Sequence, residues 1–153
     1  MSDLRDLYQE VILDHSKKPR NFGPLDHANH EAKGHNPLCG DRVTVFLDLD
    51  DAGLVKDVHF QGSGCAISMA SASLMTELVK GKKIDDAKTL FEQFHALVTG
   101  ETDAPLTASA DDMDRLEPLT GVREFPMRVK CATLPWHTFI AALDGKRDSV
   151  VTE

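Results

Sequence analysis

The stretch Arg42–Gly64, RVTVFLDLDDAGLVKDVHFQGSG, decides the fold class. Val43, Val45, Leu47 and Leu49 recur at every second position, the period of a half-buried strand. Asp50-Asp51-Ala52-Gly53 supplies turn chemistry, and Val58 and Phe60 carry a second strand back, so the segment predicts an antiparallel hairpin. Gly62-Ser63-Gly64 breaks it. Working outward toward the C-terminus, Ala66 to Val79 is rich in Ala, Ser, Met and Leu and reads as a helix that Gly81 stops. Toward the N-terminus, residues 19–38 are punctuated by Pro19, Gly23, Pro24, Gly34 and Pro37 and read as loop, with at most a short edge strand around Glu31–Gly34.

Farther out, Leu4, Leu7, Tyr8, Val11 and Ile12 fall at helical spacing behind a cap at Asp3, predicting a helix that ends near Lys18. Ile84, Ala87, Phe91, Phe94 and Val98 share one face of a helix from about Asp86 to Val98. Residues 101–117 hold six carboxylates against Arg115 alone and read as a solvated acidic loop, with a short helix near Asp111–Pro118. Pro135 lacks an N–H and fits best in a first turn, which places the start of the last helix near Cys131. Residues 146–153 read as a loose tail. The expectation is one α+β domain over residues 1–153, a small antiparallel sheet of about three strands packed against several helices.

Composition narrows the function. The 153 residues carry a formal net charge of −8, which repels nucleic acid and acidic lipid and leaves proteins or small ligands as partners. The N-terminus reads as free of a signal peptide, and Phe139–Leu143 is far too short an apolar run to span a bilayer, so a cytoplasmic location with reduced thiols is expected. Three cysteines cannot close a disulfide framework among themselves, which leaves metal binding, thiol chemistry or burial.

Cys65 and Cys131 both fall at predicted helix starts, where unpaired N–H groups and the helix dipole favour thiolate over thiol. Cys39 lies in Asn36-Pro37-Leu38-Cys39-Gly40-Asp41, where Gly40 allows a tight turn and Asp41 sits two residues from the thiol. Three thiolates and this carboxylate suit a tetrahedral zinc site or iron. Intervals of 26 and 66 residues, with no Cys-x-x-Cys pair, do not establish such a site, and small buried side chains remain the alternative. Arg128 and Lys130 precede Cys131 and either stabilise its thiolate or meet a partner. His15 reads as a surface residue, and His27, His30 and His35 as solvated loop residues. His137, beyond Cys131, either approaches the site or faces solvent. Met69 and Met75 read as core.

Three motifs, Asn36–Asp41, Gly62-Ser63-Gly64-Cys65-Ala66-Ile67-Ser68 and Arg128-Val129-Lys130-Cys131-Ala132-Thr133-Leu134, resemble the IscU/NifU N-terminal scaffold family of iron–sulfur cluster assembly. The resemblance covers nearly the whole chain. Within the family the chain is similar to the SufU branch: IscU-type members carry a histidine immediately before the third cysteine, where Lys130 stands here, and the acidic stretch lengthens the interval after Cys65. The resemblance implies that Cys39, Asp41, Cys65 and Cys131 bind zinc. It implies a SufS-type, PLP-dependent cysteine desulfurase as partner and Cys39 as the persulfide acceptor, with downstream cluster assembly proteins after it. Such a protein would be a sulfurtransferase-like acceptor rather than a stand-alone enzyme. Two rivals use the same residues: a scaffold that builds an iron–sulfur cluster and passes it on, and a structural zinc domain that only docks partners. A cysteine hydrolase lacks a clear His and acid pair.

Overall fold

The computed structural model of the chain describes residues 2–37, 40–99, 110–145 and 150–151. Cys39 and residues 101–109 of the acidic stretch lie outside them. The elements are α1 (Ser2–Lys17), β1 (His30–Asn36), β2 (Asp41–Leu49), β3 (Val55–Ser63), α2 (Ala66–Val79), α3 (Ile84–Thr99), α4 (Ala110–Leu116), a 3-10 helix (Glu117–Glu124), α5 (Pro126–Leu143) and β4 (Val150–Val151). Strand order is β3-β2-β1-β4. The first three strands are antiparallel, and helices cover one face, the α+β arrangement expected from the hairpin.

Strand β2 sets the geometry. Val43, Val45 and Leu47 are buried on the helix-covered face, and Asp41 stands in phase with them at the start of the strand. A register shift opposite Asp48 and Leu49 lets Val55 and Val58, three residues apart, both enter the core alongside Phe60. Strand β1 is longer than the expected edge strand and contains His30 and His35, which the sequence placed in a loop. Its helix-facing positions are small, Ala32 and Gly34, because α5 lies directly on them. A Cβ at Gly34 would collide with the Thr138 hydroxyl and meet Leu134 Cδ1 at 3.0 Å. The tail expected to be loose contributes Val150–Val151, which pair in parallel with Gly34 and His35.

Helix α2 matches its predicted bounds and is buried nearly all round, with Met75 fully enclosed and Met69 partly so. Its serines bind the neighbouring elements. Ser71 Oγ donates to the Ala132 carbonyl at 2.5 Å and accepts from Trp136 Nε1 at 3.1 Å. Ser73 Oγ accepts the Arg20 N–H at 2.9 Å and bonds His15 Nδ1 at 2.7 Å. His15 is therefore a buried contact between α1 and α2 rather than a surface residue. It lies three and four residues past Ile12 and Val11 on the apolar stripe of α1, a signal present in the sequence.

The last helix differs most from expectation. It begins at Pro126, so Cys131 sits in its second turn and Pro135 lies inside it. Pro135 cannot donate to the Cys131 carbonyl, and its ring crowds that turn. One residue on, Ser71 of α2 hydrogen-bonds the Ala132 carbonyl and ties this turn to its neighbour. Among the described residues no helix is long and apolar enough to cross a membrane.

Candidate metal centre

Three elements end at one place. Asp41 opens β2, Cys65 caps α2, and Cys131 projects from the second turn of α5. Ligand atoms of these three side chains all lie within 4.8 Å of one another, the one such group of His, Cys, Asp or Glu side chains among the described residues.

Each position has a local cause. The alternation that buries Val43, Val45 and Leu47 also turns Asp41 inward, leaving it 1% exposed. Its Oδ1 accepts the Cys65 N–H at 3.0 Å, and its Oδ2 lies 3.8 Å from Cys65 Sγ. Gly64 permits this approach, since a Cβ there would stand 2.7 Å from Asp41 Oδ1. Cys65 has extended backbone angles at the N-cap, and its sulfur accepts the Ser68 N–H at 3.5 Å. Cys131 is 1% exposed, whereas Cys65 is half-buried. Cys65 thus stands at a helix start as expected, and Cys131 does not. Cys131 owes its place to the seating of α5 on Gly34 and on Ser71.

The loop before Asp41 is closed by the Gly40 N–H bonding the Asn36 carbonyl at 2.8 Å, with Gly40 at a φ of +78° that favours glycine. Cys39 belongs to this loop by sequence and lies outside the described residues. Arg128 stands one helical turn before Cys131 on an exposed face of α5. Its guanidinium pKa is raised, first by the charge of Cys65 and then by the charge and hydrogen bond of Cys131. Exposed Phe125 and Met127 flank the same helix end. His137 turns elsewhere, packing edge-on against Phe91 at 5.1 Å and facing His95 at 5.9 Å; burial, then His95, hold its pKa below the usual range. The histidines of β1 and His27 do not join the site. His27 Nε2 lies 3.6 Å from Asp48 Oδ2.

The donor set fits a divalent metal. Sulfur and oxygen ligands at zinc bond lengths in a tetrahedron stand about 3.5 Å apart. The 3.8 Å between Cys65 Sγ and Asp41 Oδ2 is close to that spacing. A buried carboxylate beside two sulfurs also invites a cation, because isolated anions in such a place are costly.

Two cysteines and an aspartate thus converge at the end of the sheet. The model of the NifU-like N terminal domain matches residues 7–132, and the chain belongs to that family. It is 43% identical over 136 residues to the "zinc-dependent sulfurtransferase SufU" of Bacillus subtilis, covering 88% of each chain. It is 36% identical over 143 residues to the "iron-sulfur cluster assembly scaffold protein IscU" of Streptococcus pyogenes, covering 94% of this chain and 86% of that one. Among solved structures, a putative SUF-system scaffold from Fervidobacterium islandicum superposes with a TM-score of 0.80 at 33% identity, over 91% of this chain and 98% of that one.

Proposed function

We propose that this protein is a zinc-dependent sulfur acceptor that draws sulfur from a SufS-type, PLP-dependent cysteine desulfurase and hands it to downstream cluster assembly proteins. Cys39, Asp41, Cys65 and Cys131 are the proposed ligands, and Cys39 is the proposed acceptor. The observation that carries this reading is the meeting of Asp41, Cys65 and Cys131 within 4.8 Å. Lys130, at the position where IscU-type members hold a histidine, supports sulfur transfer over cluster building, because one alternative ligand is gone.

When bound, zinc holds its cysteine ligands as thiolates and adds no redox chemistry of its own. The chain's own groups do the rest. The Asp41 carboxylate orients the Cys65 N–H and sulfur, and α5 fixes Cys131. In the transfer, the Cys39 thiolate attacks the outer sulfur of the desulfurase persulfide. A new S–S bond forms on Cys39, the old one breaks, and the desulfurase cysteine leaves as thiolate. No external oxidant or reductant enters. In the sequence Cys39 precedes Gly40 in a short connection between two strands, the kind of segment on which residues that meet other proteins concentrate.

Desulfurase turnover measured with wild-type and Cys39→Ala protein tests the assignment. Loss of stimulation with Cys39→Ala is expected; undiminished stimulation excludes Cys39 as acceptor. The identity to the Streptococcus scaffold favours one second reading, assembly of a cluster on the same ligands. Anaerobic reconstitution separates the two: a stable cluster transferable to an apo-protein supports the scaffold.

A further inference from the structure

Helix α5 carries its charges at the wrong end. A helix N-terminus is partly positive and favours acidic side chains. Helix α3 obeys this rule with Asp85 and Asp86 in its first turn. The first turn of α5 contains no acidic residue and holds Arg128, with Lys130 just after it. Arg128 is exposed and adds nothing to the core. Helix stability does not explain a cation here, so its reason lies in what faces it.

What faces it is a concentration of anions. Cys131 follows by three residues and shares its side of the helix. Cys65 lies within 4.8 Å of Cys131 by their ligand atoms, and the charge of both sulfurs acts to raise the Arg128 pKa. Three thiolates and a carboxylate around a divalent ion leave a net charge of about −2. Two of those ligands, Asp41 and Cys131, are almost wholly withdrawn from water, which cannot then screen the excess. A guanidinium fork offers several N–H donors in one plane and can serve two sulfurs at once, as an ammonium cannot.

We propose that Arg128 is the positioning counter-charge of the metal centre, its guanidinium standing on the side of α5 that faces the sulfurs and raising the affinity of the site for its ion. The inference rests on the metal-site reading given above. Lys130 is one position from Cys131 and is turned about 100° around the helix, so it does not share the role.

The test is zinc affinity by competition with a chromophoric chelator, together with thermal melting of the metal-free protein, for wild type, Arg128→Gln, Arg128→Lys and Lys130→Gln. Removing a residue that orients metal ligands typically weakens binding about 10–100-fold. That loss is expected for Arg128→Gln, with partial recovery in Arg128→Lys and none of it in Lys130→Gln. The metal-free melting temperature of Arg128→Gln should equal or exceed that of wild type, since an unfavourable dipole contact is gone. Zinc affinity of Arg128→Gln within twofold of wild type overturns the inference and leaves the metal site standing. Weakened affinity accompanied by a lowered metal-free melting temperature, unrecovered by lysine, also overturns it, in favour of a structural role. Failure of wild type to bind zinc overturns the metal reading and this inference with it.

Discussion

Cys65 and Cys131 reach the same centre from helices that hold them in opposite ways. Cys65 is the half-buried cap of α2, outside the helix proper, with its sulfur accepting a backbone N–H and its own N–H bonded to Asp41. Cys131 is buried in the second turn of α5, on a helix pressed against β1 and α2. One cysteine is placed by local backbone chemistry and the other by tertiary packing. The same substitution should therefore have different structural consequences at the two positions and the same consequence for metal.

Cysteine to serine is the sharpest way to separate them. Both Cys65→Ser and Cys131→Ser should lose zinc affinity by at least the roughly 10–100-fold seen when support of a metal ligand fails, since a ligand itself is removed. In the metal-free protein they should diverge. Serine is a strong N-cap, so Cys65→Ser should keep its stability. Cys131→Ser buries a hydroxyl in a cysteine's place and should cost about 1–3 kcal/mol by urea denaturation. Equal losses at both positions would end the distinction.

Asp41 links the two halves of the comparison. Asp41→Asn retains an acceptor for the Cys65 N–H and should hold the fold while weakening zinc. Asp41→Ala orphans that N–H and should lose stability as well, by about 1–3 kcal/mol. The packing half is tested at Gly34, where any Cβ meets Thr138 and Leu134. Gly34→Ala should destabilise the metal-free protein by about 1–3 kcal/mol, the range for overpacking a filled site, and displace Cys131 with α5.

These two modes of placement also explain what the sequence discloses. Alternation in β2, the bounds of α2 and the cap at Cys65 are local patterns, legible in a few consecutive residues. So was the inward phase of Asp41, which shares the parity of Val43 and Val45. The start of α5 was not legible, because Pro135 stands inside the helix, against the rule that places proline in a first turn. Strand β4 is two residues long and exists through pairing with β1, which no periodicity records. The burial of His15 was visible on the stripe of α1, but its partner Ser73 was not. The three family motifs supplied the expected ligand set that spacing left open. Of that set, Asp41, Cys65 and Cys131 are brought together, and Cys39 lies outside the described residues.

The smallest expected effect concerns the α1–α2 contact. Burial first, then the charge of Arg20, hold the His15 pKa below its ordinary 6.5, while Glu77 and Asp14 act in the opposite sense. A depressed histidine favours the fold fully above the unfolded value and loses that contribution as pH falls. Stability of the metal-free protein should therefore decline below about pH 6.5. The decline should be shallower in His15→Gln, read as urea midpoints across pH 5 to 8. His137, also held below its ordinary value by burial, acts in the same direction and remains in that variant.

Whether Asp41, Cys65 and Cys131, with Cys39, hold a redox-inert ion decides between sulfur transfer and cluster building. Elemental analysis of the purified protein, for iron, zinc and acid-labile sulfide, asks this directly. About one zinc per chain, without sulfide, is the predicted result. Iron with matching sulfide, and little zinc, would contradict it.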